Sequence, residues 1–420
     1  MLDIRLIREK PEEIRQSLLK RMNEIDFHDL LSWDRDRRSL ISEIDTLRET
    51  RNSASSRIGA MKQAKEDTTA LQAQMKELSS KVKELEVSLE GIEGRIRSFL
   101  EALPNIPDPD VPAGGKEHNQ VMRVWGTEPK LDFKPADHIE LATNLKLIDY
   151  ERGVKLGGSG YWLYRGDGAR MEWALLNYFI ETHLSDGYEF ILPPHILTYQ
   201  CGYTAGQFPK FVDDVFHLKD EDSFLLPTAE TAIINLHRDE ILTEDELPKR
   251  YFAYTPCYRR EAGSYRTEER GSVRGHQFNK VEMFAFTTPE GSDSAFEELV
   301  GKAEKLVQGL GLYHRVSKLA AGDTSGAMAR TYDIEVWIPS MQEFKEVSSA
   351  SNARDYQARR GSIRFRRHST GRVEYLHTLN ASGLATSRLL PAILEQNQRA
   401  DGTVAVPEVL QKWVGKQILK

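Results

Sequence analysis

From about Trp33 to Leu100 the chain repeats an apolar residue at alternating steps of four and three. Leu71, Met75, Leu78, Val82, Leu85, Leu89, Ile92, Ile96 and Phe99 keep that rhythm without a break. Leu40, Ile44, Leu47, Ala54, Ile58 and Met61 keep it too, with Arg51 as the one polar intruder. A 3.5-residue period sustained this far is the a/d seam of a coiled coil. The rhythm lapses from Lys65 to Thr69, so two helices joined by a short turn are expected to fold back as an antiparallel hairpin. At about 1.5 Å per residue, legs of roughly 30 residues span about 45 Å. A rod of that length cannot bury itself in a globular body and is expected to project.

Charge along this rod is uneven. Residues 51–83 hold seven cations (Arg51, Arg57, Lys62, Lys65, Lys76, Lys81, Lys83) against Glu66, Asp67 and Glu77, a net of +4. Residues 1–100 balance 19 cations with 19 acids, and the 420-residue chain carries −7. Nucleic-acid contact by an acidic protein must be local, and the distal hairpin is where a phosphate backbone would be attracted. The residues alone also allow a solvated coiled coil that serves only as a spacer or for dimerisation.

Four prolines between 104 and 112, followed by Gly114-Gly115, end the helical region. This reads as residues 1–103 for the helical domain, 104–124 for a linker and 125–420 for the main body. The two cysteines, Cys201 and Cys257, form no C-x-x-C. That argues against a disulfide framework or a cysteine-rich zinc site and suits a reducing, cytoplasmic setting. The N-terminus has no apolar signal core, and no stretch approaches the roughly 20 apolar residues of a membrane span. G-x-G-x-x-G and Walker A patterns are missing, which excludes the usual dinucleotide and P-loop folds.

The body reads as mixed. Gly168 to Leu184 is an amphipathic helix with Met171, Ala174, Leu175, Phe179 and His183 on its buried side, and Tyr188 to Ile196 is a strand containing Pro193-Pro194. Proline in a strand implies an edge or an interface. Tyr251 to Arg259 and Phe278 to Phe286 read as paired strands around a charged, glycine-bearing loop. Residues two apart share a strand face, so Arg259 and Glu261 can reach one pocket, as can Phe278, Lys280 and Glu282. A cation for a crowded phosphate, carboxylates for ammonium and amino groups, and a flat ring for a purine together suit an adenylating site. An ordinary charged hairpin fits the same residues.

The run Arg259-Arg260-Glu261-Ala262-Gly263-Ser264 with His276-Gln277-Phe278 and Lys280-Val281-Glu282 resembles motif 2 of class II aminoacyl-tRNA synthetases. Leu226-Pro227-Thr228-Ala229-Glu230 is similar to the serine-binding loop of bacterial seryl-tRNA synthetases. Phe344-Lys345-Glu346-Val347-Ser348-Ser349 and Gln357-Ala358-Arg359-Arg360 resemble that family's metal and ATP segment. Asn380-Ala381-Ser382-Gly383-Leu384-Ala385 with Arg388 resembles motif 3, and the helix–strand pair before them resembles motif 1. The resemblance covers essentially the whole chain. It implies an α+β fold: an antiparallel two-helix arm plus an antiparallel catalytic sheet flanked by helices.

It also implies roles. Arg259 would bridge the carboxylate of L-serine and the α-phosphate of ATP, and Glu282 would hold the ammonium. Thr228, Ala229, Glu230, Asn380 and Ser382 would line the serine pocket. Arg260, Glu261, Phe278, Glu346, Val347, Ser348, Ser349 and Arg388 would contact ATP, with Glu261 on the adenine amino group and Phe278 and Arg388 on the two adenine faces. Glu346 and Ser349 would hold Mg²⁺. Arg51, Arg57, Lys62, Lys76, Lys81 and Lys83 would contact tRNA(Ser), and tRNA(Sec) where that tRNA exists. The family is homodimeric through motif 1. His276 reads as a structural residue, because a serine carboxylate is already ionised and needs no base.

The chain departs from the family at Arg266, where glycine is usual, at Glu269, where a small residue is common, and at Ala350, where cysteine is frequent. The first two bear on the transfer step and leave activation intact. Two other readings stand beside this one. A ligase loading a carrier protein would not need the long arm. A non-catalytic paralogue would be expected to lack Arg259, Glu261, Glu346 or Arg388, and all four are present.

Overall fold

The computed structural model describes residues 1–261 and 271–420; Arg266 and Glu269 fall outside the described residues. Two compact units emerge, Leu2–Pro104 and Asn105–Lys420 with Met1.

In the first unit, α1 (Ile4–Glu9) starts where the Asp3 carboxylate accepts from the Arg5 amide, and α2 (Pro11–Leu18) starts on a proline. The hairpin is α3 (His28–Gln63) and α4 (Thr69–Ala102). Its legs run antiparallel: Trp33 meets Phe99 edge-on at 6.2 Å, and Arg48 pairs with Glu86 at 2.7 Å. Ile44, Ala54, Val82, Leu85, Ile92 and Ile96 are buried along the seam. Towards the turn, Ile58, Met61, Leu71, Met75 and Leu78 are only half-buried. α3 starts before the apolar rhythm because its first turns are held differently. Asp34, fully buried, accepts from Arg8 at 2.7 Å, Arg37 at 3.1 Å and Arg38 at 3.2 Å.

In the second unit, the segment read as a linker is tied down. The Asn105 amide donates to the carbonyls of Ala327 (2.9 Å) and Ala353 (2.8 Å), Asp108 pairs with Arg354 at 2.7 Å, and Asp110 pairs with Lys318 at 2.7 Å. The chain then enters β1 (Gln120–Trp125), an outer sheet strand. The composition shift at the prolines marks the end of a helix and not a free tether.

The main elements that follow are α5 (Asp167–Ser185), β2 (Glu189–Ile191), β3 (Lys249–Tyr258), β4 (Gln277–Thr287), α6 (Ser292–Gly309), β5 (His314–Lys318), β6 (Arg330–Ile338), β7 (Glu343–Arg354), β8 (His377–Ala385) and α7 (Thr386–Gln396). They form an eight-stranded sheet in the order β1-β5-β6-β7-β8-β4-β3-β2. All pairs are antiparallel except β2 with β3. The strand expected over Tyr188–Ile196 is shorter: β2 stops before Pro193-Pro194, which have no N–H to give a ladder.

Alternation along β4 and β8 positions the site. Val281, Met283 and Ala285 join Leu379 and Ala381 in one core with Met171, Leu175 and Phe179 of α5, Phe296, Leu299 and Val300 of α6, and Leu389, Ile393 and Leu394 of α7. Phe284 and Phe286, on the other face, sit in a second core with Leu226, Ala229, Ile233 and Phe365. Each buried Phe contributes about 1.5–3 kcal/mol, so a one-residue slip of β4 would be strongly opposed. The register therefore also fixes which face carries Phe278, Lys280 and Glu282.

Candidate active site

Arg259 and Glu261 lie just past the end of β3. They line the same cavity, of about 80 Å³, with Phe278, Val347, Ser382 and Arg388. Strand alternation is not what brings them together, because Glu261 sits in the left-handed region at φ 50°. The Arg259 guanidinium lies 5.2 Å from the centre of the Phe278 ring and donates to the Pro227 carbonyl at 3.2 Å. His276 braces this turn, its amide and ring engaged with the Gly160 and Arg259 carbonyls, which fits a structural histidine.

The cavity opens on both sides. One neighbour, of about 470 Å³, is reached past Gln207, Phe211 and Thr228 and shares Arg259, Glu261 and Arg274. The other, of about 420 Å³, is lined by Asp333, Glu335, Glu346 and Ser349 and shares Arg274 and Arg388. Arg274, common to all three, was missed by sequence reasoning, as were Asp333 and Glu335. The Arg274 guanidinium donates to the Glu261 carboxylate, with Nε at 2.8 Å, and so occupies the acceptor assigned to the adenine amino group. No spacing rule marks an arginine at the far end of a loop, so nothing in the sequence pattern would have found it.

Next to Thr228, which lines a cavity with Arg259, is a small buried polar cluster. Glu282 is fully buried; one oxygen accepts from Asn380 at 2.9 Å, while the other accepts from Lys280 at 2.5 Å and Thr228 at 3.4 Å. Lys280 also donates to Thr228 Oγ1 at 2.8 Å. Glu230 opens a short helix, accepts from Gln357 at 2.7 Å and sits 3.5 Å from the Asn380 amide. Burial and the neighbouring Glu282 charge push its carboxyl up to about 7. Gln357 is fixed in turn by a hydrogen bond from Thr378 at 2.7 Å.

On the opposite side, a bulge in β7 shapes the second acidic group. Ser348 pairs with Ile334 and Glu346 with Glu335, leaving Val347 unmatched. In a regular strand, residues three apart face opposite ways; the extra residue puts Glu346 and Ser349 into the same cavity. Ser349 Oγ donates to Asp333 at 2.7 Å. Burial and the Glu346 charge raise the Asp333 carboxyl well above the ordinary carboxylate range. Arg388, near the start of α7, donates to the Glu346 carbonyl at 2.9 Å, the Glu346 carboxylate at 3.2 Å and the Val273 carbonyl at 3.2 Å.

Of the residues assigned from the sequence, Glu230, Glu282 and Asn380 form the buried polar cluster beside Thr228 rather than lining the cavities, and three more lie outside both. Ala229 is buried in the second apolar core. Arg260 points away, its side chain donating to the Asp213 carbonyl at 3.3 Å. Ser348 is fully buried and donates to the Ser382 carbonyl at 2.6 Å. On the hairpin, Arg57, Lys62, Lys76, Lys81 and Lys83 are exposed and Arg51 is half-buried.

Residues 215–397 match the family described as tRNA synthetase class II core domain (G, H, P, S and T), and residues 1–107 match the Seryl-tRNA synthetase N-terminal domain. Fold and site thus define an aminoacyl-tRNA synthetase with a class II core. The chain is 63% identical to "Serine–tRNA ligase 2" of Clostridium acetobutylicum, with 100% of both chains covered. It superposes with a TM-score of 0.93 on the seryl-tRNA synthetase of Pyrococcus horikoshii complexed with ATP, at 35% identity over 100% of this chain and 99% of that one. A cytoplasmic serine–tRNA ligase of Naegleria fowleri in complex with AMP gives 0.89 at 29% identity over the same shares. The chain belongs to the seryl-tRNA synthetase family.

Proposed function

We propose that the chain is a serine–tRNA ligase that works in two steps at the cleft around Arg259. A serine carboxylate oxygen attacks the α-phosphorus of ATP; the bond to the bridging oxygen breaks and pyrophosphate leaves with its electron pair, giving seryl-adenylate. A terminal hydroxyl of tRNA(Ser) then attacks the acyl carbon and AMP leaves. tRNA(Sec) is a further acceptor for the same adenylate, to be tried separately.

One observation carries this reading: a fully buried carboxylate, Glu282, stands beside Asn380 and beside Thr228, which lines the cleft together with Arg259. This supports a receptor for a small ammonium–carboxylate zwitterion, whose ammonium would share Glu282 with Lys280, 2.5 Å from that carboxylate. Arg259 would hold the serine carboxylate and the α-phosphate, a task for a planar guanidinium. Glu230, Asn380 and Ser382 would meet the hydroxyl. An analogue without that hydroxyl leaves buried groups unpaired, which costs about 10⁴-fold or more in a well-built site. Adenine would lie between Phe278 and Arg388, with its amino group on Glu261 once Arg274 releases it.

Mg²⁺ fits the donors on β7. Glu346 and Ser349 offer hard oxygens, and with these two as protein donors the remaining positions suit ATP phosphate oxygens and water. Bound there, the ion would neutralise phosphate charge. Positioning and electrostatics would supply most of the rate, since little covalent work is asked of the protein.

A homodimer is part of the reading. Trp173 and Leu184 of α5, with Leu192 and Ile196 beyond β2, are about half exposed or more, an apolar face of the kind that marks a protein interface. No described helix is long and apolar enough to cross a membrane, and the reading assigns the enzyme to the cytoplasm. The domain roles follow: residues up to about 103 for tRNA and the body for catalysis.

The test is ATP–pyrophosphate exchange with each of the twenty amino acids, run beside aminoacylation of tRNA(Ser) and tRNA(Sec). Serine-dependent exchange with charging of tRNA(Ser) is expected. Exchange without any tRNA charging would favour a carrier-protein ligase, and no exchange with any amino acid would end the catalytic reading.

A further inference from the structure

Glu172 is out of place on α5. The buried side of that helix otherwise holds Gly168, Met171, Ala174, Leu175, Leu176, Phe179 and His183, and Glu172 is only 3% exposed among them. Burying a carboxylate is costly, and an apolar side chain of similar volume is commonly the more stable choice. Burial indeed raises this carboxyl above its ordinary value, and the hydrogen bonds it accepts pull it back only in part. A residue that breaks the local pattern in this way calls for a compensating role.

Its partners suggest what that role is. One oxygen, Oε1, accepts from Thr386 Oγ1 at 2.6 Å and from Asn279 Nδ2 at 2.7 Å. The Asn279 amide is oriented from its other end, where Oδ1 accepts from the Tyr254 hydroxyl at 3.1 Å. Asn279 follows Phe278 in β4. Thr386 is the first residue of α7 and precedes Arg388 by two. The same Thr386 hydroxyl also lies 3.2 Å from the Asn279 carbonyl, so this oxygen and that direct contact together join the two segments that bear the sides of the adenine slot.

The backbone leaves this junction open. β4 pairs with β8 from Thr287 opposite His377 up to Lys280 opposite Ala385. Beyond Ala385 the chain turns into α7, so residues 277–279 keep ladder partners only on β3. Nothing in the sheet ladder fixes how far Phe278 stands from Arg388.

We propose that Glu172 is a positioning residue for the nucleotide: by joining Asn279 to Thr386 from the helix side of the sheet, it sets the gap between Phe278 and Arg388 on the other. This rests on the assignment of that gap to adenine. It concerns binding geometry, so its mark is on ATP and not on serine.

The experiment is steady-state pyrophosphate exchange with ATP and serine varied separately. Glu172→Ala is expected to raise KM for ATP about tenfold, with KM for serine changed less than about twofold. Glu172→Gln retains an oxygen able to accept both bonds and is expected to bring KM for ATP back to within about threefold of the parent. Thr386→Val, which removes the hydroxyl's contacts with Glu172 and with the Asn279 carbonyl and leaves the carboxylate in place, is expected to fall between them and tests the junction if Glu172→Ala does not fold. Phe278→Ala is the control for the slot itself. If it raises KM for ATP while Glu172→Ala and Thr386→Val do not, the positioning role is overturned and the adenine assignment stands. If Phe278→Ala leaves KM for ATP unchanged, the slot assignment falls and takes this inference with it. Equal losses for ATP and serine, or no rescue by glutamine, would make Glu172 a general packing residue and also overturn the proposal.

Discussion

The helical hairpin and the catalytic sheet handle charge in opposite ways. On the hairpin, the cations assigned to tRNA are exposed or half-buried on a thin seam, and none of the six forms an ion pair within the described residues. Around the cleft, the charges proposed to act on serine and ATP are already paired: Glu282 with Lys280, Glu261 with Arg274, Arg388 with Glu346. Open cations on a rod suit a large polyanion met through long-range attraction. Charges paired in advance within a cleft suit a small ligand that must be held in one orientation, because the dipoles are set before it arrives.

The contrast is most sharply tested by removing its centre. Arg259→Ala is expected to lower serine-dependent exchange about 10³-fold with the fold intact by circular dichroism, and Arg259→Lys is expected not to rescue it, since one ammonium cannot replace a bidentate fork. Replacing residues 35–98 with a short linker is expected to cut tRNA charging about 100-fold or more while leaving exchange within about twofold. Loss of both activities together would break the division between the two regions.

Titration gives the next effect. With its carboxyl near 7, Glu230 is expected to impose a limb on kcat/KM for serine that falls about tenfold per pH unit below that value, and Glu230→Gln should erase the limb. The stability sign is opposite. A carboxyl raised by burial contributes fully below its unfolded pKa and loses that contribution as pH rises through the folded value. Glu230→Gln should therefore be the more stable protein at pH 8, by up to about 3 kcal/mol. A lower melting temperature at pH 8 would contradict this.

On the hairpin the expected changes are smaller and depend on salt. Changing Lys76, Lys81 and Lys83 together to Ala should flatten the log KM(tRNA) against log salt plot by about one unit per lost phosphate contact, with exchange kinetics untouched. The smallest effect concerns the body alone. Burial opposes the charge on Glu304, but His314 and Arg123 outweigh it and bring the carboxyl down to about 2. Its stabilising contribution is present above the unfolded carboxyl pKa and is lost as pH falls through about 2. Glu304→Gln should cost about 1–2 kcal/mol at pH 7 and make the acid limb of the unfolding curve shallower.

How much of this was readable beforehand differs between the regions for the same reason. The hairpin's seam, its turn and its basic end all come from neighbours within a few residues; α4 and the distal part of α3 lie where the heptads put them, and only the first turns of α3 extend beyond. The sheet was readable as strands: β3 and β4 lie close to their expected bounds, and Phe278, Lys280 and Glu282 do share a face. The proline-bearing strand and the linker were less so, because whether Asn105 and Asp108 find partners depends on residues more than 200 positions away.

By itself, then, the sequence determined the rod, the helix and strand periods and the kinds of chemistry available along β4, β7 and β8. Only the tertiary structure decided that an unmatched Val347 turns Glu346 and Ser349 to one side, that Arg274 occupies Glu261, and that Lys280 satisfies both Glu282 and Thr228. It alone placed Glu172 between the start of β4 and the start of α7. Periodicity is a local property of the chain, set by backbone geometry. Pairing of buried charges is not, because the low-dielectric interior rewards whichever partner the sheet order brings within hydrogen-bond reach and penalises every group left without one.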